Sequence, residues 1–224
     1  MLENANTTPL TECGEFGLID LLTKNIQLKN KSTILGVGDD AAIIDCGNRY
    51  QVISKDLLIE GIHFDVSYCP LKHIGYKAIA SNLSDMAAMN AKPEQVLVGI
   101  AISSRYTVEA IEEIYKGMYL CCERYGIDLV GGDTCSSLSG LCISITVLGY
   151  AEPSKIVKRS TAHENDLICV SGDLGAAYMG LLILEREKKV FLENPKNQPD
   201  LDGFDYLIER QLKPEPRLDV IKAL

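Results

Sequence analysis

The chain has 224 residues, room for one large domain or for one domain with part of another. Hydrophobic residues make up 46% of it, enough for a buried core, and no segment approaches the length of a membrane span. A formal net charge of −9, with no cluster of Lys or Arg, argues against nucleic-acid binding by phosphate neutralisation and against a role on membranes.

The first eleven residues are polar and lack a basic region followed by an apolar stretch, so they do not read as a secretory signal. Residues 12–25 follow as an amphipathic helix, with Phe16, Ile19, Leu22 and Leu21 toward one face. A linker, 28–33, leads into the turn Gly36-Val37-Gly38-Asp39-Asp40 and a strand over 41–45; Gly47-Asn48 breaks it before a strand over 50–54. After Pro70 comes a long helical run, 71–89, stopped by Lys92-Pro93, and then a strand over 95–103. Residues 107–125 are the clearest helix, with Thr107 placed as N-cap, Glu109 and Glu112 near its N-terminal end and Gly126 as its stop. A short strand at 127–130 runs into a turn, Gly131-Gly132-Asp133, and a long strand spans 141–150.

The character changes after Glu152-Pro153. Residues 167–170 read as a buried strand, followed by Ser171-Gly172-Asp173-Leu174-Gly175, a helix to about residue 188, an exposed loop over 194–202, a helix over 205–212 and the start of another over 218–224. The order predicts an α/β (layered α+β) fold in which an N-terminal sheet carries helices on one face, residues 1–152, followed by the beginning of a second α/β domain, residues 153–224. A truncated second domain is expected. Of the eight cysteines, only the adjacent Cys121-Cys122 pair is closely spaced, and Cys142 and Cys169 lie in apolar runs. That is the pattern of reduced thiols in a cytoplasmic protein.

Carboxylates carry the chemical signal. Asp40, Asp56, Asp85 and Asp133 each stand beside Gly, Ser or Asn at the margin of an apolar segment, where an unpaired charge is costly. Alone, each has an ordinary reading as a turn residue or as the polar side of a helix. Together they suit magnesium, which takes one or two carboxylates and completes its shell with phosphate oxygens and water. Divalent cations would also let an acidic protein hold a polyphosphate. No P-loop is present, and Gly36-Val37-Gly38 lacks the third glycine and the following helix of a dinucleotide fingerprint. His63 follows Gly61 and could approach a ligand or simply pack; Tyr115 reads as core and Arg159 as surface.

Seven segments in order resemble the thiamine-monophosphate kinase family, within the aminoimidazole ribonucleotide synthetase superfamily. They are Cys13-Gly14-Glu15-Phe16, Gly36-Val37-Gly38-Asp39-Asp40-Ala41-Ala42, Asp56-Leu57-Leu58-Ile59-Glu60-Gly61-Ile62-His63-Phe64, Asn82-Leu83-Ser84-Asp85-Met86-Ala87-Ala88-Met89, Gly131-Gly132-Asp133-Thr134, Gly172-Asp173-Leu174-Gly175-Ala176-Ala177 and Pro214-Glu215-Pro216-Arg217. The resemblance implies transfer of the ATP γ-phosphoryl group to thiamine monophosphate, giving thiamine diphosphate and ADP. It implies magnesium ligation by Asp40, Ser54, Asp56, Asp85 and Asp133, with Asp39 a structural neighbour. It further implies ATP contacts from Tyr115, Gly132, Asp133 and Arg159, a thiamine monophosphate contact from His63, and a homodimer paired through the N-terminal sheets. Lys55 departs from the family, which usually has Thr there; a cation at that place would replace a metal or lie on a phosphate. The resemblance also implies metal-binding acids and more of the thiamine pocket in a later part of the family's chain, so that this fragment would turn over poorly or not at all. Two rivals stay open: a sister ATP-dependent enzyme of the superfamily, and a non-catalytic nucleotide-binding or dimerisation module.

Overall fold

A computed structural model describes residues 8–223. The opening seven residues of the polar N-terminal segment and the last residue of the expected helix 218–224 lie outside the described residues. The order is α1 (Leu10–Thr23), β1 (Thr33–Leu35), β2 (Ala42–Asp45), β3 (Tyr50–Ile59), α2 (Leu71–Ala88), β4 (Lys92–Ser103), α3 (Val108–Tyr125), β5 (Asp128–Ser137) and β6 (Leu141–Ala151). A 3-10 turn (Arg159–Thr161) and three helices, α4 (Ala176–Glu193), α5 (Asp205–Leu212) and α6 (Leu218–Ala223), complete it.

The six strands form one sheet in the order β1-β2-β3-β6-β4-β5, antiparallel except where β4 and β5 run parallel across the α3 crossover. In β6, buried and half-buried residues alternate along the whole strand, the signature of a sheet with one covered face. Ile143, Ile145 and Val147 on β6, with Val96, Val98 and Ile100 on β4, pack beneath Ile79, Leu83 and Met86 of α2 and Ile114 and Met118 of α3. The other face keeps Leu57, Ile59 and Leu97 substantially exposed. The expectation of helices layered on one face thus holds.

Two glycines let α2 and α3 close on each other. A Cβ on Gly75 would lie 1.8 Å from the Ile114 carbonyl oxygen, and one on Gly117 would lie 1.8 Å from that of Lys72. Contact at that range is impossible for any side chain, so the helix crossing depends on both residues. Thr107 caps α3 as expected, its Oγ1 accepting the Ala110 amide at 3.2 Å.

Several boundaries differ from expectation, each for a tertiary reason. The strand expected over 50–54 continues to Ile59 because β6 pairs with it along its full length, so Asp56 lies inside a strand and not at its end. The strand expected over 127–130 continues to Ser137 along β4, carrying Gly131, Gly132 and Asp133 as strand residues where a turn was expected. The linker 28–33 ends in β1, which pairs with β2. No strand forms over 167–170: no neighbouring strand offers it hydrogen bonds, and Leu167 and Ile168 are almost fully exposed. Helix α1 is kinked at Gly14 and buries no residue, leaving Phe16 and Leu22 exposed where a packed face was expected.

Candidate phosphate-binding and metal site

The turn after β1 places Asp39 and Asp40 against the 3-10 turn. Asp39 Oδ1 accepts the Asp40 amide at 3.0 Å, and Asp39 Oδ2 accepts the Arg159 amide at 3.2 Å. Asp39 thus holds two backbone segments together. Asp40 is left to pair with the Arg159 guanidinium.

Strand β3 and helix α2 supply the next three groups. Ser54 is buried on the helix-facing side of β3, and Asp56, two residues on, follows the pleat to the same side. Ser54 Oγ donates to Asp85 Oδ2 at 2.5 Å, tying α2 to the strand. Burial pushes the Asp85 carboxyl up to about 6, and the neighbouring charges of Asp56 and Asp40 push it the same way, against the Ser54 hydrogen bond and Arg159. Burial also raises Asp56, tempered by the charges of His63 and Lys55. Asp85 thus feels the charges of both Asp56 and Asp40, and its one hydrogen-bond donor is the Ser54 hydroxyl.

His63 lies in the tight turn after β3. The Ile59 amide donates to its Nδ1 at 3.0 Å, so Nε2 is the ring nitrogen left free. Asp56, His63, Lys77 and Ser81 line a cavity of about 420 Å³ with Leu57 and Leu58. Lys55 turns away from it, its Nζ donating to Ser144 Oγ at 2.7 Å; strand alternation puts it opposite Asp56.

The remaining expected residues stand apart. In the register, Asp56 faces Ile145, Ile145 faces Val98 and Val98 faces Gly132, so three interstrand steps, about 14 Å, separate β3 from β5. Gly132 has φ 155°, and a Cβ there would sit 1.8 Å from the Val98 carbonyl oxygen, so only glycine lets the edge strand lie so close. Asp133 follows it, exposed. Tyr115 lines a different cavity, about 750 Å³, with Ile102, Tyr106, Ile111 and Tyr119.

Among the described residues, no three His, Cys, Asp or Glu side chains stand close enough to enclose an ion between them. Asp85 nonetheless offers hard oxygens on a half-buried carboxylate, and a cation there would relieve the repulsion it feels from Asp56 and Asp40. That chemistry fits magnesium held by one or two carboxylates with a substrate's phosphates completing the shell.

Two side chains escaped the reading of the sequence. Glu60 is an anchor: it accepts the Tyr106 hydroxyl and the Leu141 amide, each at 2.8 Å, and pairs with Arg105, fixing the end of β3 from which the His63 turn departs. Lys77 shares the cavity of Asp56. The signal for it was the spacing Lys77, Ser81, Asp85, which puts all three on one stripe of α2.

Against known families, residues 38–151 match the model for AIR synthase related protein, N-terminal domain. The chain is 37% identical over 207 residues to the thiamine-monophosphate kinase of Bacillus subtilis, covering 92% of this chain and 61% of that protein. It is 38% identical over 208 residues to that of Buchnera aphidicola subsp. Schizaphis graminum, with the same shares covered. Among solved structures it resembles AaThiL complexed with AMPPCP and TMP, with a TM-score of 0.80 and 33% identity over 98% of this chain and 65% of that one. The chain spans about three-fifths of the length of these curated relatives.

Proposed function

The chain belongs to the AIR synthase related proteins through its N-terminal domain, and from that premise we propose that it serves the ATP-dependent phosphorylation of thiamine monophosphate to thiamine diphosphate. The observation that carries this reading is the Ser54–Asp85 hydrogen bond that ties β3 to α2, two residues from Asp56, which lines the His63 cavity and whose charge bears on Asp85. The relatives named as thiamine-monophosphate kinases, and the solved relative complexed with AMPPCP and TMP, support it.

In this reading a phosphate oxygen of the acceptor attacks the γ-phosphorus of ATP, the bond to the β-phosphate bridging oxygen breaks, and ADP leaves. Phosphoryl transfer of this kind needs alignment and charge neutralisation more than covalent help, so no protein general base is invoked. Asp40, Ser54, Asp56 and Asp85 would hold magnesium, which when bound supplies that neutralisation. Arg159, held by Asp39 and paired with Asp40, is poised to exchange its carboxylate partner for an ATP phosphate. His63 presents its free nitrogen to the acceptor. Gly132 and Asp133, on the far strand, would serve another part of the nucleotide with Tyr115. The exposed face of the sheet, with Leu57, Ile59 and Leu97, would pair with a second copy. Free thiols and the absence of any helix long and apolar enough to cross a membrane, among the described residues, suit a cytoplasmic setting.

The test is phosphorus NMR of the chain with ATP, magnesium and thiamine monophosphate. ADP and thiamine diphosphate should accumulate together. ADP release indifferent to thiamine monophosphate would contradict the reading.

A further inference from the structure

Two cavities meet at one lysine. Lys77 lines the 420 Å³ cavity of Asp56 and Ser81, and it also lines a second cavity of about 220 Å³ walled by Phe64, Tyr68, Cys69 and Leu212. His63 is the other residue common to both, so the pair forms their shared wall.

The charge of Lys77 is uncommitted. Its Nζ donates one hydrogen bond, to the His63 carbonyl oxygen at 3.2 Å, and among the described residues no carboxylate stands within ion-pair distance. The acids of the second cavity have other partners than Lys77: Asp65 pairs with Lys188, and Glu185 accepts the Tyr68 hydroxyl at 2.8 Å within the cavity wall. Other cations near the acid cluster are also occupied, Arg159 by Asp40 and Lys55 by Ser144. A half-buried ammonium with one neutral partner is costly unless an anion completes its shell. Lys77 also rises from α2 on the stripe of Ser81 and Asp85, which puts it one helical turn from Ser81 and two from Asp85.

We propose that Lys77 is a binding residue for the phosphate group of the acceptor, holding a phosphate monoester at the junction of the two cavities with its organic part in the smaller, partly apolar one. This rests on the acceptor reading above and names the protein group that meets the acceptor's anion. Lys77 would fix the acceptor phosphate beside Asp56, facing the triphosphate, while His63 Nε2 contacts the same molecule. A phosphate bound there gains a charge-assisted hydrogen bond that an unphosphorylated analogue cannot make.

The experiment compares thiamine monophosphate with thiamine as calorimetric probes on wild type, Lys77→Met and Lys77→Arg, all in magnesium, with ATP titrated as a control for folding. Wild type should prefer the phosphorylated probe. Lys77→Met should weaken it about ten- to a hundredfold, leave thiamine and ATP binding unchanged, and so erase the preference; Lys77→Arg should restore part of it. A preference undiminished in Lys77→Met would overturn the assignment of Lys77 alone. A wild type indifferent to the phosphate would overturn the acceptor reading itself. Independently of any variant, amine labelling of wild type read by mass spectrometry should show Lys77 protected by thiamine monophosphate and not by thiamine. Equal labelling with both probes would overturn the proposal even if Lys77→Met failed to fold.

Discussion

Two kinds of carboxylate site lie on this one layered fold, and they differ in who answers their charge. Glu60 and Glu215 are answered by the protein. Glu60 takes Arg105, the Tyr106 hydroxyl and the Leu141 amide. Glu215 takes the Tyr125 hydroxyl at 2.6 Å, the Tyr76 hydroxyl at 3.2 Å and Arg124 at 2.9 Å, clamping the segment before α6 to the ends of α2 and α3. Burial and the Glu215 hydrogen bond push the Tyr125 hydroxyl far above its ordinary range, so it stays protonated and donates. Asp56 and Asp85 are answered far less well. Asp85 has one hydroxyl donor, and both carboxyls are raised by burial. Fully partnered acids build structure; under-partnered acids that repel one another are built for something that arrives later.

That contrast can be broken in order of size. Glu60→Ala removes a nearly buried charge from three partners and strands Arg105 and the Leu141 amide; urea unfolding should show a loss of about 3 kcal/mol. Glu215→Ala, more open to solvent, should cost about 1–2 kcal/mol by the same measurement. Asp85→Asn should go the other way. A carboxyl whose folded pKa is raised binds more protons folded than unfolded, so the metal-free wild type loses stability as pH climbs from about 4 to about 6. Asp85→Asn should flatten that decline and gain about 1 kcal/mol at pH 7 without magnesium, the figure kept small because the group is half open to solvent. Arg159→Ala, at an exposed pair, should leave the urea midpoint where it was while weakening ATP binding.

Much of this was legible in the residues. Helices α2, α3 and α5 and the core strands follow from apolar periodicity, and Thr107 sits as its residue type implies. Asp85 stood out as a carboxylate at the margin of an apolar segment, and its link to Ser54 is the structural counterpart of that placement. What stayed hidden was set at a distance. The length of β3 and β5 depends on partners nearly ninety and about thirty-five residues away, so the strand expected over 50–54 stopped short and the turn signal at Gly131-Gly132 misled. Residues 167–170 have the composition of a strand but pair with none of the six. Lys77 escaped because a lysine on a helix usually reaches solvent, and only the folded cavity shows that this one does not have to.

The most direct test is calorimetric titration of ATP into the chain with magnesium and again with EDTA, for wild type, Asp56→Asn and Asp85→Asn. Binding should require the metal and fall at least tenfold in both variants, while Glu60→Gln, if folded, binds as wild type does. Equal affinity in EDTA would mean that the under-partnered acids are not awaiting a cation.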